Sequence, residues 1–166
     1  MNIPDAETLF GSLVEQMRPH VTQNTALLGI HTGGVWLAER LHDALGLTQP
    51  VGSIDVSFYR DDFGAKGLPS KPKRTDIPFV VEGARIIIVD DVLYTGRTTR
   101  AALNELFDFG RPDCVELAVL VDRGGRELPI YARYCAFSLP DPLPVTQTLE
   151  LECDDHGKLN LRLIDA

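Results

Sequence analysis

Two adjacent carboxylates, Asp90 and Asp91, follow the uninterrupted apolar run Ile86-Ile87-Ile88-Val89. An apolar strand has no packing use for charge at its end, and burying unpaired carboxylates is costly. Acids in that position suit the hydroxyls of a ligand, or a metal. Val92, Leu93 and Tyr94 lead from them to Thr95-Gly96-Arg97-Thr98-Thr99, where a helix is predicted to start. A helix N-terminus offers free backbone N–H groups and the positive end of the helix dipole, which together suit a phosphate. Gly96 lets the backbone come close and the threonine hydroxyls add donors. Residues 90–99 thus combine acids for a sugar diol with a cradle for a phosphate, which describes a ribose 5-phosphate site. The plainer alternative, that Thr98 only caps the helix and the aspartates are merely solvated, needs the whole arrangement to be coincidental. Neither G-x-x-x-x-G-K-[ST] nor G-x-G-x-x-G occurs in the chain, so the segment is neither of the familiar glycine-rich nucleotide loops.

The elements that must hold this segment can be read from periodicity. Residues 5–18 form an amphipathic helix with Leu9, Leu13 and Met17 on one face and Phe10 and Val14 beside them. Ala26-Leu27-Leu28-Gly29-Ile30 has the continuous apolar character of a buried parallel strand. It ends in His31-Thr32-Gly33-Gly34. A helix from Val35 to Leu45 follows, with Gly46 as its C-terminal cap. Ile54, Val56 and Phe58 alternate with polar residues and predict a strand. Residues 85–89 are the strongest strand signal. A helix over 98–109 is closed by Gly110 and Pro112. Residues 115–121 give another apolar strand, ending in Asp122-Arg123-Gly124-Gly125-Arg126, and residues 131–137 a shorter one. Finally Leu149, Leu151 and Cys153 alternate, as do Leu159, Leu161 and Leu163, across the hairpin turn Asp154-Asp155-His156-Gly157.

Strands alternating with helices predict a single-domain α/β fold over residues 1–166, with a central, mostly parallel sheet flanked by helices and a C-terminal β-hairpin. Ligands of such sheets bind at the carboxyl ends of the strands. Residues 32–34, 90–99 and 122–126 should therefore converge there. Residues 60–78 carry five basic side chains and few apolar ones, and so long a loop in a compact domain is usually functional or disordered.

Bulk properties narrow the function further. A length of 166 residues suits one domain, and 44% hydrophobic with 24% charged residues is ordinary for a soluble protein. No apolar stretch is long enough to span a bilayer. The amino-terminal residues lack the pattern of a secretory signal, so a cytoplasmic location is expected. Cys114, Cys135 and Cys153 form no zinc spacing and no disulfide framework. The net charge of −8 opposes nucleic-acid binding by the chain as a whole.

The run IIIVDDVLYTGRT resembles the 5-phosphoribosyl 1-pyrophosphate (PRPP) signature of type I phosphoribosyltransferases, and its VDDVLYTGRT portion resembles the PyrR family of pyrimidine attenuation proteins with uracil phosphoribosyltransferase activity. GIHTGGVWLAERL, DVSFYRDD and LAVLVDRGGRELPI also look like PyrR segments, so the likeness spans most of the chain. It implies that Asp90 and Asp91 hold the ribose hydroxyls and, with Arg123, are the catalytic residues. It implies a PRPP site of Asp90, Asp91, Val92, Leu93, Tyr94, Thr95, Gly96, Arg97, Thr98 and Thr99. Thr32, Gly33 and Gly34 would sit against the pyrophosphate. Asp122, Arg123 and Arg126 would lie on the base side, and residues 60–78 would close over the site. Mg²⁺ is the implied cofactor, touched by Asp90 and Asp91 only indirectly because PRPP oxygens and water supply most of its shell. PRPP, uracil and UMP are the implied ligands, and a homo-dimer or tetramer the implied assembly.

Two positions depart from that pattern. Thr32-Gly33-Gly34 stands where the family usually has Thr-Arg-Gly, which removes a bidentate phosphate donor, and Gly125 stands where it usually has histidine. Regulatory members bind pyr messenger RNA through a basic surface that includes the first helix. Here residues 5–17 contain no Lys or Arg, and the main basic cluster is Lys66, Lys71, Lys73 and Arg74. Four functions come into question on these grounds. They are a uracil phosphoribosyltransferase, a UMP- or PRPP-sensing RNA-binding regulator with little catalysis, a phosphoribosyltransferase for another base, and a receiver-like signalling domain. The last fails because its acid pair would follow an early strand.

Overall fold

The computed structural model describes residues 2–57 and 75–166. Five parallel strands form the central sheet: β1 (Ala26–Ile30), β2 (Gly52–Ile54), β3 (Arg85–Leu93), β4 (Cys114–Asp122) and β5 (Tyr134–Ser138), in the order β2-β1-β3-β4-β5. Helices α1 (Ala6–Met17), α2 (Gly33–Leu45) and α3 (Arg97–Leu106) flank it, and β6 (Gln147–Cys153) pairs antiparallel with β7 (Leu159–Asp165).

The alternation of side chains along β3 and β4 divides the core in two. Ile87, Val89, Ala118 and Leu120 face one side, where they pack with α1, α2 and the hairpin leucines Leu149, Leu151 and Leu159. Ile86, Ile88, Leu117 and Val119 face the other, with Ala102 and Leu106 of α3. The central strands are therefore covered on both faces, which is why their sequences are apolar without a break.

Side-chain chemistry ties the outer pieces down. Asp5 caps α1, its carboxylate accepting from the Thr8 amide at 3.1 Å. Glu7 on α1 accepts two hydrogen bonds from the Arg40 guanidinium of α2, at 2.9 and 2.7 Å, and a third from the Leu159 amide of the hairpin at 2.9 Å. Its carboxyl pKa is lowered, chiefly by the Arg40 hydrogen bonds, and that of Arg40 is raised by the same pair. Three elements thus meet at one ion pair.

Several boundaries differ from the sequence expectation. The strand expected through Ile54, Val56 and Phe58 ends at Ile54. The Asp55 carboxylate accepts from the Ser57 amide at 3.0 Å, an Asx-type turn that takes the chain out of the sheet, and Phe58 lies outside the described residues. The lid expected over 60–78 is likewise outside them except for its last residues. There Asp76 exchanges two backbone hydrogen bonds with Ser53, both 2.8 Å. β3 continues past Val89 through Leu93 because β4 keeps offering partners, pairing Asp90 with Val119 and Val92 with Val121. The helix expected over 98–109 begins at Arg97, and after Leu106 it tightens into a short 3₁₀ turn. α2 begins two residues before Val35, and β5 begins at Tyr134, not Tyr131.

Candidate functional site

The carboxyl ends of β1, β3 and β4 bring the three polar segments together, as the parallel order requires. The link from β1 to α2 is short, and the peptide between His31 and Thr32 is cis. Gly34 lies directly against β3: a Cβ there would be 2.3 Å from the Val89 carbonyl oxygen, so any other residue would push the loop off the sheet. A Cβ on Gly33 would lie 2.6 Å from an oxygen of Asp91. The pyrophosphate-loop candidates Thr32, Gly33 and Gly34 are therefore next to the acidic pair, and the Asp91 carboxylate lies where an arginine at position 33 would begin.

Asp90 and Asp91 close the ladder of β3 with Val92 and Leu93, and are strand residues in place of loop residues. One oxygen of Asp90 accepts from the Asp91 amide at 2.9 Å, and one oxygen of Asp91 accepts from the Val92 amide at 2.8 Å. Each carboxylate is thereby oriented by backbone. Asp90 is buried and Asp91 half-buried.

Past Tyr94, the chain turns into α3 at Gly96, an N-cap residue with no side chain to bond the helix amides. An uncapped, ten-residue helix start next to two carboxylates is open for an anion. Of the threonines expected to add donors, Thr95 and Thr99 are buried, and the Thr95 hydroxyl accepts from the Arg97 amide at 3.2 Å, so that Thr98 is the half-exposed one. The Arg97 side chain is exposed and pairs with Glu127 at 3.3 Å.

The end of β4 is laced to the end of β3. The Arg123 amide donates to the Leu93 carbonyl at 3.0 Å, and the Glu127 and Leu128 amides donate to the Thr95 carbonyl at 3.0 and 3.1 Å. Arg126 is occupied by the protein: it donates to the Tyr94 carbonyl, to the Ile130 carbonyl at 2.7 Å and to the Asp122 carboxylate at 2.6 Å. It braces the two segments. Arg123 is different. It is buried with its guanidinium 3.8 Å over the Tyr94 ring, and Nη1 donates to the Thr148 hydroxyl at 3.4 Å. Thr148 belongs to β6, and nothing in its sequence context signals that it reaches a site 25 residues upstream. Tyr94, part of the expected PRPP segment, packs on Arg123.

Mg²⁺ fits this donor set in a limited way. Two carboxylates face the site, and no cluster of three or more His, Cys, Asp or Glu forms a metal cage among the described residues. That suits an ion which keeps most of its shell as water and phosphate oxygens. No helix among the described residues is long and apolar enough to cross a membrane.

A parallel α/β sheet with paired acids at a strand end, leading into an open helix start, defines a phosphoribosyltransferase-type site. The phosphoribosyl transferase domain family matches residues 2–142. The fold agrees: purine phosphoribosyltransferase from Pyrococcus horikoshii superposes with a TM-score of 0.61 at 26% identity, covering 84% of this chain and 85% of that one. A relative from Pseudomonas paraeruginosa, named bifunctional protein PyrR, is 44% identical over 163 residues, 96% of this chain and 90% of that protein. Another of that name, from Ralstonia nicotianae, is 53% identical over 134 residues, 78% of this chain and 76% of that one. The chain belongs to the phosphoribosyl transferase family and, within it, to the PyrR family.

Proposed function

We propose that the protein transfers the phosphoribosyl group of PRPP to uracil, giving UMP and pyrophosphate. The observation that carries this reading is the pair Asp90 and Asp91, oriented by backbone amides beside the uncapped start of α3. The uracil part is supported by the kinship with proteins named PyrR.

In this reading the ribose hydroxyls lie against Asp90 and Asp91, and the 5-phosphate rests on the backbone of residues 95–99. As the bond from the ribose C1 to pyrophosphate breaks, positive charge builds on the sugar ring, much as in glycoside chemistry. The fixed carboxylates favour that charge without reorganising. Nitrogen of the base forms the new bond to C1 and loses its proton. Thr32, Gly33 and Gly34 place backbone beside the leaving pyrophosphate. Mg²⁺, when bound with PRPP, neutralises pyrophosphate charge. The base side is assigned to the end of β4, at Asp122 and Arg123, with Arg126 holding that segment in shape.

Incubation with PRPP, Mg²⁺ and each base in turn, following pyrophosphate release, tests this directly. Turnover with uracil is expected; turnover with purines alone would sink the uracil assignment. A second role in RNA binding is favoured by one observation, that the PyrR relatives are named bifunctional. Against it stand a net charge of −8 and an α1 without a basic residue. Gel shifts with the pyrimidine-gene leader RNA separate these, and no UMP-dependent shift is expected.

A further inference from the structure

At the end of β4 the protein leaves two buried donors without partners. Arg123 is 4% exposed, and its Nε and Nη2 have no hydrogen-bond acceptor among the described residues. These nitrogens share one edge of the guanidinium plane, so the unpaired hydrogens form a fork pointing one way. A buried cation lacking full hydrogen bonding destabilises the fold that holds it. Packing alone would favour an apolar side chain here, so the fork calls for a partner that the described residues do not supply.

Its orientation is fixed on three sides. The Arg123 backbone is held by Leu93, Nη1 by Thr148, and the flat face by the Tyr94 ring at 3.8 Å. Tyr94 can occupy that place because residue 125 is glycine. Gly125 has φ +89°, and a Cβ on it would lie 2.6 Å from the ring. The bare backbone at position 125 is therefore what lets the ring close over the arginine.

We infer that the Nε–Nη2 edge of Arg123 reads the exocyclic oxygen that uracil carries where cytosine has an amino group, and so selects oxo- over amino-pyrimidines, with the Tyr94 ring on the guanidinium face holding the edge in place. This rests on the base lying at the end of β4, as proposed above. A carbonyl oxygen has two lone pairs and accepts both donors. An amino group at the same position points hydrogens at the fork and leaves it unpaired, a mismatch that discriminates far more strongly than shape does.

The decisive variant is Arg123→Met, which keeps the stem and removes the fork. Three quantities are read: the melting temperature of the ligand-free protein, the KM for uracil and the KM for PRPP. The ligand-free protein should melt about 2–4 °C higher, because an unsatisfied buried cation has gone. The uracil KM should rise about 30-fold or more, the loss of charge-assisted hydrogen bonds, while the PRPP KM stays within about twofold. The parent should discriminate uracil from cytosine, and the variant should lose most of that preference. A lower melting temperature, or a uracil KM within about threefold of the parent, overturns the inference by making Arg123 a structural post. If the parent turns over another oxo base and not uracil, the uracil assignment fails separately. The same KM split measured with that base then supports the role of Arg123, and its absence overturns it.

Discussion

The ends of β3 and β4 lie side by side and solve opposite problems. At β3 the working groups are anions, and backbone amides of their own strand hold them: Asp90 by the Asp91 amide, Asp91 by the Val92 amide. At β4 the key group is a cation with two donors unpaired among the described residues, positioned by a ring and a hairpin hydroxyl distant in sequence and by a glycine two residues away. One half is satisfied before any ligand arrives. The other keeps two donors without partners among the described residues. Such a division suits a site that binds one invariant group, the sugar phosphate, and must choose among bases for the other.

Substitutions should separate the two halves, the largest effect coming from the acids. Asp91→Asn keeps the shape and removes the charge proposed to face the developing cation; turnover should fall by about 10²–10³-fold, read as pyrophosphate release. Near-parental activity would mean that the β3 end only binds. Gly34→Val should cost about 2–4 kcal/mol in urea unfolding, because its side chain meets the Val89 backbone and cannot be relieved by a rotamer change. An unchanged midpoint would show that the β1 loop shifts freely and does not form part of a rigid phosphate half.

Smaller effects should fall on the base side alone. Gly125→Ala places a methyl group against Tyr94 and adds strain at a positive φ, so the ring must move off Arg123. The expected result is a severalfold change in the uracil KM with the PRPP KM unaltered. Equal changes in both would erase the distinction between the halves. Glu7→Gln loosens the hairpin that carries Thr148, for about 1–2 kcal/mol of stability at neutral pH. The sign with pH is fixed by the lowered pKa of Glu7: its contribution is complete above the ordinary carboxylate range and is lost as pH falls through the depressed value. The parent should therefore lose stability in acid more steeply than the variant, in thermal melts from pH 7 to 3. Parallel curves would assign the hairpin's anchoring to apolar packing.

The difference between the halves also explains what could be read in advance. The β3 half is local. Asp90, Asp91, Gly96 and the start of α3 lie within one strand, turn and helix, so residue type and order sufficed to propose a sugar-phosphate site. The parallel fold and the C-terminal hairpin were legible for a similar reason, since periodicity reports which faces are buried. Boundaries were less so. The Asp55 turn ends β2 early, and β3 runs on through its two aspartates because β4 continues to pair with it.

What the sequence by itself determined is the placing of paired acids at a strand end ahead of a helix start, and the order of elements beneath them, because both depend on neighbours along the chain. Tertiary structure alone decided the fate of the arginines. Arg123 and Arg126 sit three residues apart with similar surroundings in the sequence. Among the described residues, packing gives Arg126 three acceptors and leaves Arg123 two buried donors with none. Which donors are satisfied depends on where Tyr94, Ile130 and the β6 hairpin come to lie, and those positions are set by contacts between distant segments.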